Sequence, residues 1–270
     1  MTPIRNSTSA ICAASRQDAS QRTSARLRLA LLAVTLLAFL LRVLHLEWQP
    51  LWWDEGYSVF FATQPLAEML SLTAQDIHPP LYYALLHFWT LLLDSARPAV
   101  DRLFSVYAGA LAVPLLAVLA YALTRRALVA VFTSVLLAIN PLDVYYSQEV
   151  RMYSLALVLG LLSTYAMHRW LQAAENRRPQ SLRLAAYVVS AALLVHTLYY
   201  AAFLIAAQFI WLLWRARERA PDRRIILIAA GLLALLCLPW IAYALPQLIH
   251  YIGDKVQSDQ DTPVGPLTYI

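Results

Sequence analysis

Between residues 27 and 245 the chain divides into apolar runs separated by short polar turns, and this pattern limits the fold more than any other feature. The runs fall at 27–46, 103–123, 127–141, 152–170, 183–197, 199–214 and 225–245. Runs of about 15 to 22 residues match the thickness of a bilayer core at 1.5 Å rise per residue. Hydrophobic residues make up 60% of the chain and charged ones only 14%, with a mean hydropathy of +0.56. A soluble domain carries about 25% charged residues, so a water-soluble fold would leave these runs uncovered. The expectation is all-α: a polytopic transmembrane helix bundle of about seven spans. Cys12 and Cys237 give neither a metal spacing nor a disulfide framework. The net charge of +5 does not point to nucleic acid, because the basic residues sit in loops between apolar runs, where they set membrane orientation.

Residues 1–25 are polar and Ala-rich without an apolar period and read as a disordered cytoplasmic tail. Residues 26–250 form one transmembrane module, with 47–102 as a first external loop carrying amphipathic helices. The stretch 251–270 reads as the start of an incomplete external segment. The first span is too long for a signal-peptide core and lacks a cleavage site, so it is retained. Leu81–Leu93 has 13 residues, too short to cross, and suits an interfacial or re-entrant position. Charge decides the same point. If this run does not cross, Arg125–Arg126, Arg177–Arg178–Arg183 and Arg215 to Arg224 all share the N-terminal side, with Asp18, Glu175, Glu218 and Asp222 as its acids. The opposite side collects the remaining acids and, outside the spans, only Arg97, Arg102, Arg151 and Lys255. The expected topology is therefore multi-pass, N-terminus cytoplasmic, C-terminal tail outside.

The outer face then gathers the residues with chemical potential. Asp54 and Glu55 follow Trp52 and Trp53 just past the first span. They read either as a solvated acidic turn in an aromatic belt or as carboxylates that deprotonate a nucleophile or hold a divalent cation. A helix over Tyr57–Leu70 with Asp54 as its N-cap would anchor them. His78 precedes Pro79–Pro80 and an aromatic segment, and is an interfacial histidine or a ligand. Arg102 opens the second span, where it snorkels or holds a phosphate. In the stretch Gln148-Glu149-Val150-Arg151-Met152-Tyr153, Gln148 shares a helical face with Arg151, and Glu149 shares one with Tyr145 and Tyr153. Ionisable groups at span ends are costly and point to function, although Glu149 and Arg151 also suit each other. His196, Tyr199 and Tyr200 form a third cluster, and Arg42 near the end of the first span reads equally as snorkelling or as a site residue. Arginines suit a phosphate whose lipid tail stays in the bilayer, and carboxylates suit activation of a hydroxyl.

The order of these elements resembles the GT-C glycosyltransferases, in the broad group of protein O-mannosyltransferases, aminoarabinose transferases and RgtA/B/C/D-like bacterial enzymes. The matching residues are Asp54-Glu55, His78-Pro79-Pro80-Leu81-Tyr82-Tyr83, Arg102 with Gly109 and Pro114, and Asn140-Pro141 with Tyr146 to Tyr153. The resemblance implies an inverting hexosyl- or pentosyltransferase with a polyprenyl-phosphate-linked sugar donor and an envelope glycan, lipid or protein acceptor. It places the active site on the extracytoplasmic face of the cell (inner) membrane. Asp54, with Glu55 beside it, is the implied catalytic pair. His78, Arg102, Gln148, Glu149, Arg151, Tyr153, His196 and Tyr199 are the implied substrate contacts, Arg102 and Arg151 on the leaving phosphate. No cofactor is assigned; a divalent cation, if one binds, falls to Asp54 and Glu55. Members of the group carry further spans past the seventh, so the chain is expected to be cut after the N-terminal module. Two other readings stand beside this one: a lipid-linked-sugar transporter or flippase, and a non-catalytic membrane fragment that retains the fold.

Overall fold

A computed structural model describes residues 7–94, 97–217 and 221–261. The described chain is helical: α1 (Ser7–Val43), α2 (Trp53–Thr63), α3 (Leu66–Ala74), α4 (Leu81–Leu93), α5 (Pro98–Thr124), α6 (Ala127–Ala138), α7 (Pro141–Ser147), α8 (Tyr153–Glu175), α9 (Ser181–Val195), a 3-10 turn at Tyr199–Ala201, α10 (Ala202–Arg215) and α11 (Arg223–Asp261). Helices α1, α5, α6, α8, α9, α10 and α11 pack side by side, and α2, α3 and α4 pack on one another. Individual contacts tie the helix ends. At one end Arg102 of α5 reaches the carbonyls of Leu46 and Gln49, and Leu81 N–H donates to His196 O. At the other, Arg215 of α10 pairs with Glu175 of α8.

By length and hydropathy alone, α5 and α11 can each cross a bilayer, and α6 with α7 can do so as one pair bent by 59°. Helix α9, with 15 residues, is about 22 Å long, and α10 is shorter still. The surface nevertheless carries lipid-compatible side chains throughout, among them Leu36, Leu128, Phe203, Ile210 and Leu235. Hydroxyls inside the helices turn back to their own carbonyls: Thr35 to Leu31, Thr133 to Val129, Ser190 to Ala186. Such back-bonding keeps polar atoms satisfied where no water is at hand. Gln208 of α10 instead donates across to Ser163 and Thr164 of α8, an interhelical bond of the kind that holds membrane bundles.

Four boundaries differ from the sequence expectation. Helix α1 reaches back to Ser7, so residues 7–25 are helical where a disordered tail was expected. The commonest residues of this stretch are Ala and Ser, and once the span has nucleated a helix, the alanines propagate it. The expected helix over 57–70 is two helices, α2 and α3, because Pro65 cannot continue the first. The N-cap of α2 is Trp52; Asp54 sits in the first turn. The run 127–141 breaks at Asn140, whose side chain caps Leu142 and Asp143 N–H groups ahead of Pro141 at the first position of α7. Lastly, α11 runs through Pro239 and Pro246 to Asp261 and does not open into a loop at Pro246; residues 262–270 lie outside the described chain.

Three apolar cores brace the helices, the smallest of them Ala38, Val113 and Ala138. Trp170, Tyr187, Leu194, Leu212 and Ile226 knit α8 to α11. Phe61, Met69, Tyr82, Tyr83 and Leu86 join α2, α3 and α4 to Val150 and Met152. This core is aromatic, with the Phe61 and Tyr83 rings edge-on at 5.1 Å, and it sits directly beneath the acidic turn.

Candidate functional site

The Glu55 carboxylate is the point where three elements meet. It is 0% exposed and accepts four N–H bonds. Arg102 of α5 forks onto both its oxygens (Nε–Oε1 2.8 Å, Nη2–Oε2 2.6 Å). Val150 N–H binds Oε1 at 2.9 Å, and Trp52 N–H binds Oε2 at 3.3 Å, the reach-back half of a capping box. Arg102, 2% exposed, gives its remaining donors to the carbonyls of Leu46, Gln49 and Pro50. All five guanidinium N–H groups are thereby engaged. Arg102 therefore has no donor left for a phosphate, and Glu55 has no free lone pair for a base or a shared cation. Both sequence expectations give way to a buried clamp that fixes α2, α5 and the 148–152 loop against one another.

Asp54, one residue earlier, points the other way. Its side chain is 39% exposed and faces Arg151 across 3.6 Å. The two groups, far apart in sequence, share one cleft, of about 410 Å³, lined by Trp53, Asp54, Asp76, His78, Tyr83 and Arg151 and closed on one side by Tyr251 of α11. Arg151 is the buried member, with a side chain 5% exposed. Its backbone carbonyl is held by Ser105 Oγ–H (3.1 Å), to which Tyr82 O–H in turn donates. Its guanidinium is loosely engaged by comparison with Arg102. Nη1 reaches Asp54 O at 3.4 Å, Nη2 reaches His78 Nε2 at 3.2 Å, and Nε has no partner. Because arginine only donates, His78 Nε2 must accept, which leaves Nδ1 to donate to Asp76 at 3.1 Å. The result is a chain, Asp76–His78–Arg151–Asp54, along one wall. Tyr153 places its ring 5.8 Å from the Arg151 guanidinium carbon.

Glu149 is buried beside this wall, and its Oε1 has no partner. Burial pushes its carboxyl above the ordinary carboxylate range; the Tyr145 hydroxyl and Arg151 oppose the shift, and the charges of Glu55 and Asp54 add to it. Two buried, unpartnered polar atoms on neighbouring side chains, Glu149 Oε1 and Arg151 Nε, mark a functional place more often than a structural one.

The other expected contacts have different work. Gln148 donates to the carbonyls of Leu41, Arg42 and Leu44 and so finishes the C-terminus of α1. His196 Nε2 lies 3.1 Å from Leu236 O, and the Tyr199 hydroxyl accepts from Trp240 Nε1–H at 2.9 Å. These two bridge to α11 and do not line the cleft. Arg42 is fully buried and neither snorkels nor lines the cleft. It pairs with Asp143 and donates to the carbonyls of Leu137 and Ala138 just before the break at Asn140–Pro141. Gly109 lets this staple close, since a Cβ there would meet Ser147 Oγ at 2.1 Å. Sequence reasoning did not assign Asp76, Tyr83 or Tyr251 to the site, although Tyr83 belongs to a motif it quoted. Asp76 stands two residues before His78, a spacing that could have signalled it; nothing short of the fold brings in Tyr251. Among the described residues no three His, Cys, Asp or Glu side chains gather closely enough to hold a metal ion.

Compared with known proteins, residues 92–252 match the family profile of dolichyl-phosphate-mannose-protein mannosyltransferases. Among solved structures, the S. cerevisiae protein O-mannosyltransferase Pmt1-Pmt2 complex bound to the sugar donor is similar, with a TM-score of 0.58 at 16% identity. The alignment covers 86% of this chain and 34% of that one, so the chain spans about a third of the length of the solved protein. At that identity the likeness is one of fold. No curated protein matches.

Proposed function

Because the chain belongs to the dolichyl-phosphate-mannose-protein mannosyltransferase family, we propose that it takes part in sugar transfer from a polyprenyl-phosphate donor to an acceptor hydroxyl, with Asp54 as the base. The observation that carries this reading is the contrast inside one turn: Glu55 is closed behind four N–H groups, and Asp54 faces an accessible cleft with a buried arginine 3.6 Å away. A carboxylate open to solvent can take the acceptor's proton. As it does, the acceptor oxygen attacks the anomeric carbon, the bond from that carbon to the phosphate oxygen breaks, and its electron pair stays on the lipid phosphate. Arg151, with an unpartnered Nε–H and three long contacts, is suited to that growing charge, and a positioned donor of this kind supplies about 2.7–4 kcal/mol. Attack opposite the leaving group inverts the anomeric centre. Trp53 and Tyr57, edge-on at 5.3 Å, give the sugar an aromatic wall.

The same reading puts the cleft on the extracytoplasmic side. The opposite end of the bundle carries Arg125, Arg126, Arg177, Arg178, Arg183 and Arg215, and the positive-inside rule places that end in the cytoplasm. A transporter would keep its ionisable groups between broken helices near the bilayer centre; here Asp54, His78 and Arg151 lie together at one end. The test is Asp54→Asn in the full-length protein. Transfer from a polyprenyl-phosphate sugar should fall about 10²–10⁴-fold with donor binding retained, whereas Arg151→Gln should weaken donor binding about tenfold or more. Transfer that survives Asp54→Asn would remove the assigned base.

A further inference from the structure

A second cleft, of about 530 Å³, lies between α2, α4 and the start of α5, and shares no lining residue with the Asp54 cleft. Its polar lining is Thr63, His87, Thr90, Asp94 and Asp101. Asp101 is 4% exposed. Among the described residues its carboxylate accepts no hydrogen bond and joins no ion pair. A carboxylate that lines the cleft and takes no donor from the protein is open to a donor from a ligand, which makes the cleft more than a surface dimple.

Every other polar side-chain group there also presents a lone pair. His87 Nδ1 lies 2.7 Å from the Ala62 carbonyl, so it donates there and leaves Nε2 as an acceptor. The hydroxyls of Thr63 and Thr90 donate to Phe60 O and His87 O. Asp94 adds a second carboxylate, and no arginine or lysine lines the cleft. A lining made only of acceptors recognises a positively charged group that brings its own N–H donors. Among the described residues no three His, Cys, Asp or Glu side chains gather closely enough to hold a metal ion, and acceptors spread along the lining suit an ammonium group that donates to several of them. The walls, by contrast, are Leu51, Val59, Ala62 and Leu91, and exposed Phe60, Phe88, Leu91 and Leu92 flank it on α2 and α4. Side chains of this kind face acyl chains in a membrane protein, so the ligand that fits carries an apolar tail.

We propose that this cleft binds the primary ammonium group of a membrane lipid headgroup, with Asp101 as its counter-ion. The inference is independent of the transferase reading, which is tested at Asp54. The experiment is native mass spectrometry of the full-length protein released from nanodiscs with equal parts phosphatidylethanolamine, phosphatidylcholine and phosphatidylglycerol. The ethanolamine lipid should be retained about tenfold over the choline lipid, which has the charge but no N–H to donate. Asp101→Asn should bring the two to parity at an unchanged unfolding temperature. Equal retention of all three lipids by the wild-type protein would overturn the proposal, as would unchanged preference in Asp101→Asn. Free ethanolamine at the lipid's concentration should leave the lipid bound; displacement by it would assign the cleft to soluble amines and overturn the lipid source.

Discussion

Asp54 and Glu55 occupy the same first turn of α2, yet one carboxylate is sealed behind four N–H donors and the other opens on a cleft with a single ion pair at 3.6 Å. Their arginines differ in the same way. Arg102 has every N–H committed, three of them to backbone carbonyls; Arg151 keeps a buried Nε without a partner. The clamp and the cleft are linked by the 148–152 loop, since Val150 N–H binds Glu55 and Arg151 faces Asp54. A rigid pair thus holds an adaptable pair in place. Catalytic groups need this division, because a side chain saturated by the fold has nothing left for a substrate, and one without support is badly aimed.

The largest expected effect falls on the clamp. Arg102→Met leaves the Glu55 charge buried without its partner, and loss of one member of a buried pair costs about 3–5 kcal/mol. Thermal unfolding in detergent measures it; a loss under about 1 kcal/mol would make the clamp an ordinary surface pair. Gly109→Ala probes the rigid packing on the far side of the loop. Its Cβ would lie 2.1 Å from Ser147 Oγ and 3.0 Å from Arg42 Nε, and overpacking of this sort costs about 1–3 kcal/mol. Adding Ser147→Ala should recover only part of the loss, because the Ser147 Cβ is itself 2.8 Å away.

The smallest effect belongs to the cleft and depends on pH. Burial raises the Glu149 carboxyl, so the folded protein holds that proton more tightly than the unfolded chain does. Its stability contribution is then lost as pH rises from the ordinary carboxylate pKa through the raised one. Glu149→Gln mimics the protonated form, so its unfolding temperature should exceed wild type above that window and converge with it below. A difference that grows toward acid would reverse the sign.

Much of the bundle was legible in the chain because a membrane imposes a length on each run. Leu81–Leu93 emerged with the predicted bounds, and the short α4 kept the basic turns together at one end. Asp54 and Arg151 were legible as costly ions at span ends. The division of labour was not. The partners Glu55 and Arg102 lie 47 positions apart, and nothing local told Arg102, a clamp, from Arg151, a cleft residue. Gln148 misled through its helical spacing with Arg151, since the stretch is a tight turn, with Arg151 N–H on Glu149 O at 2.8 Å. The Asn140-Pro141 signal was present, but an unbroken hydropathy run concealed the bend that Arg42 satisfies.

The division between neighbouring acids is tested most directly by comparing Asp54→Asn with Glu55→Gln, measuring unfolding temperature and sugar transfer on both proteins. Asp54→Asn should unfold within about 0.5 kcal/mol of wild type, as surface substitutions do, and lose transfer. Glu55→Gln should lose stability first, with activity falling only as folded protein is lost. Equal destabilisation by the two changes, or transfer retained without Asp54, would contradict the account.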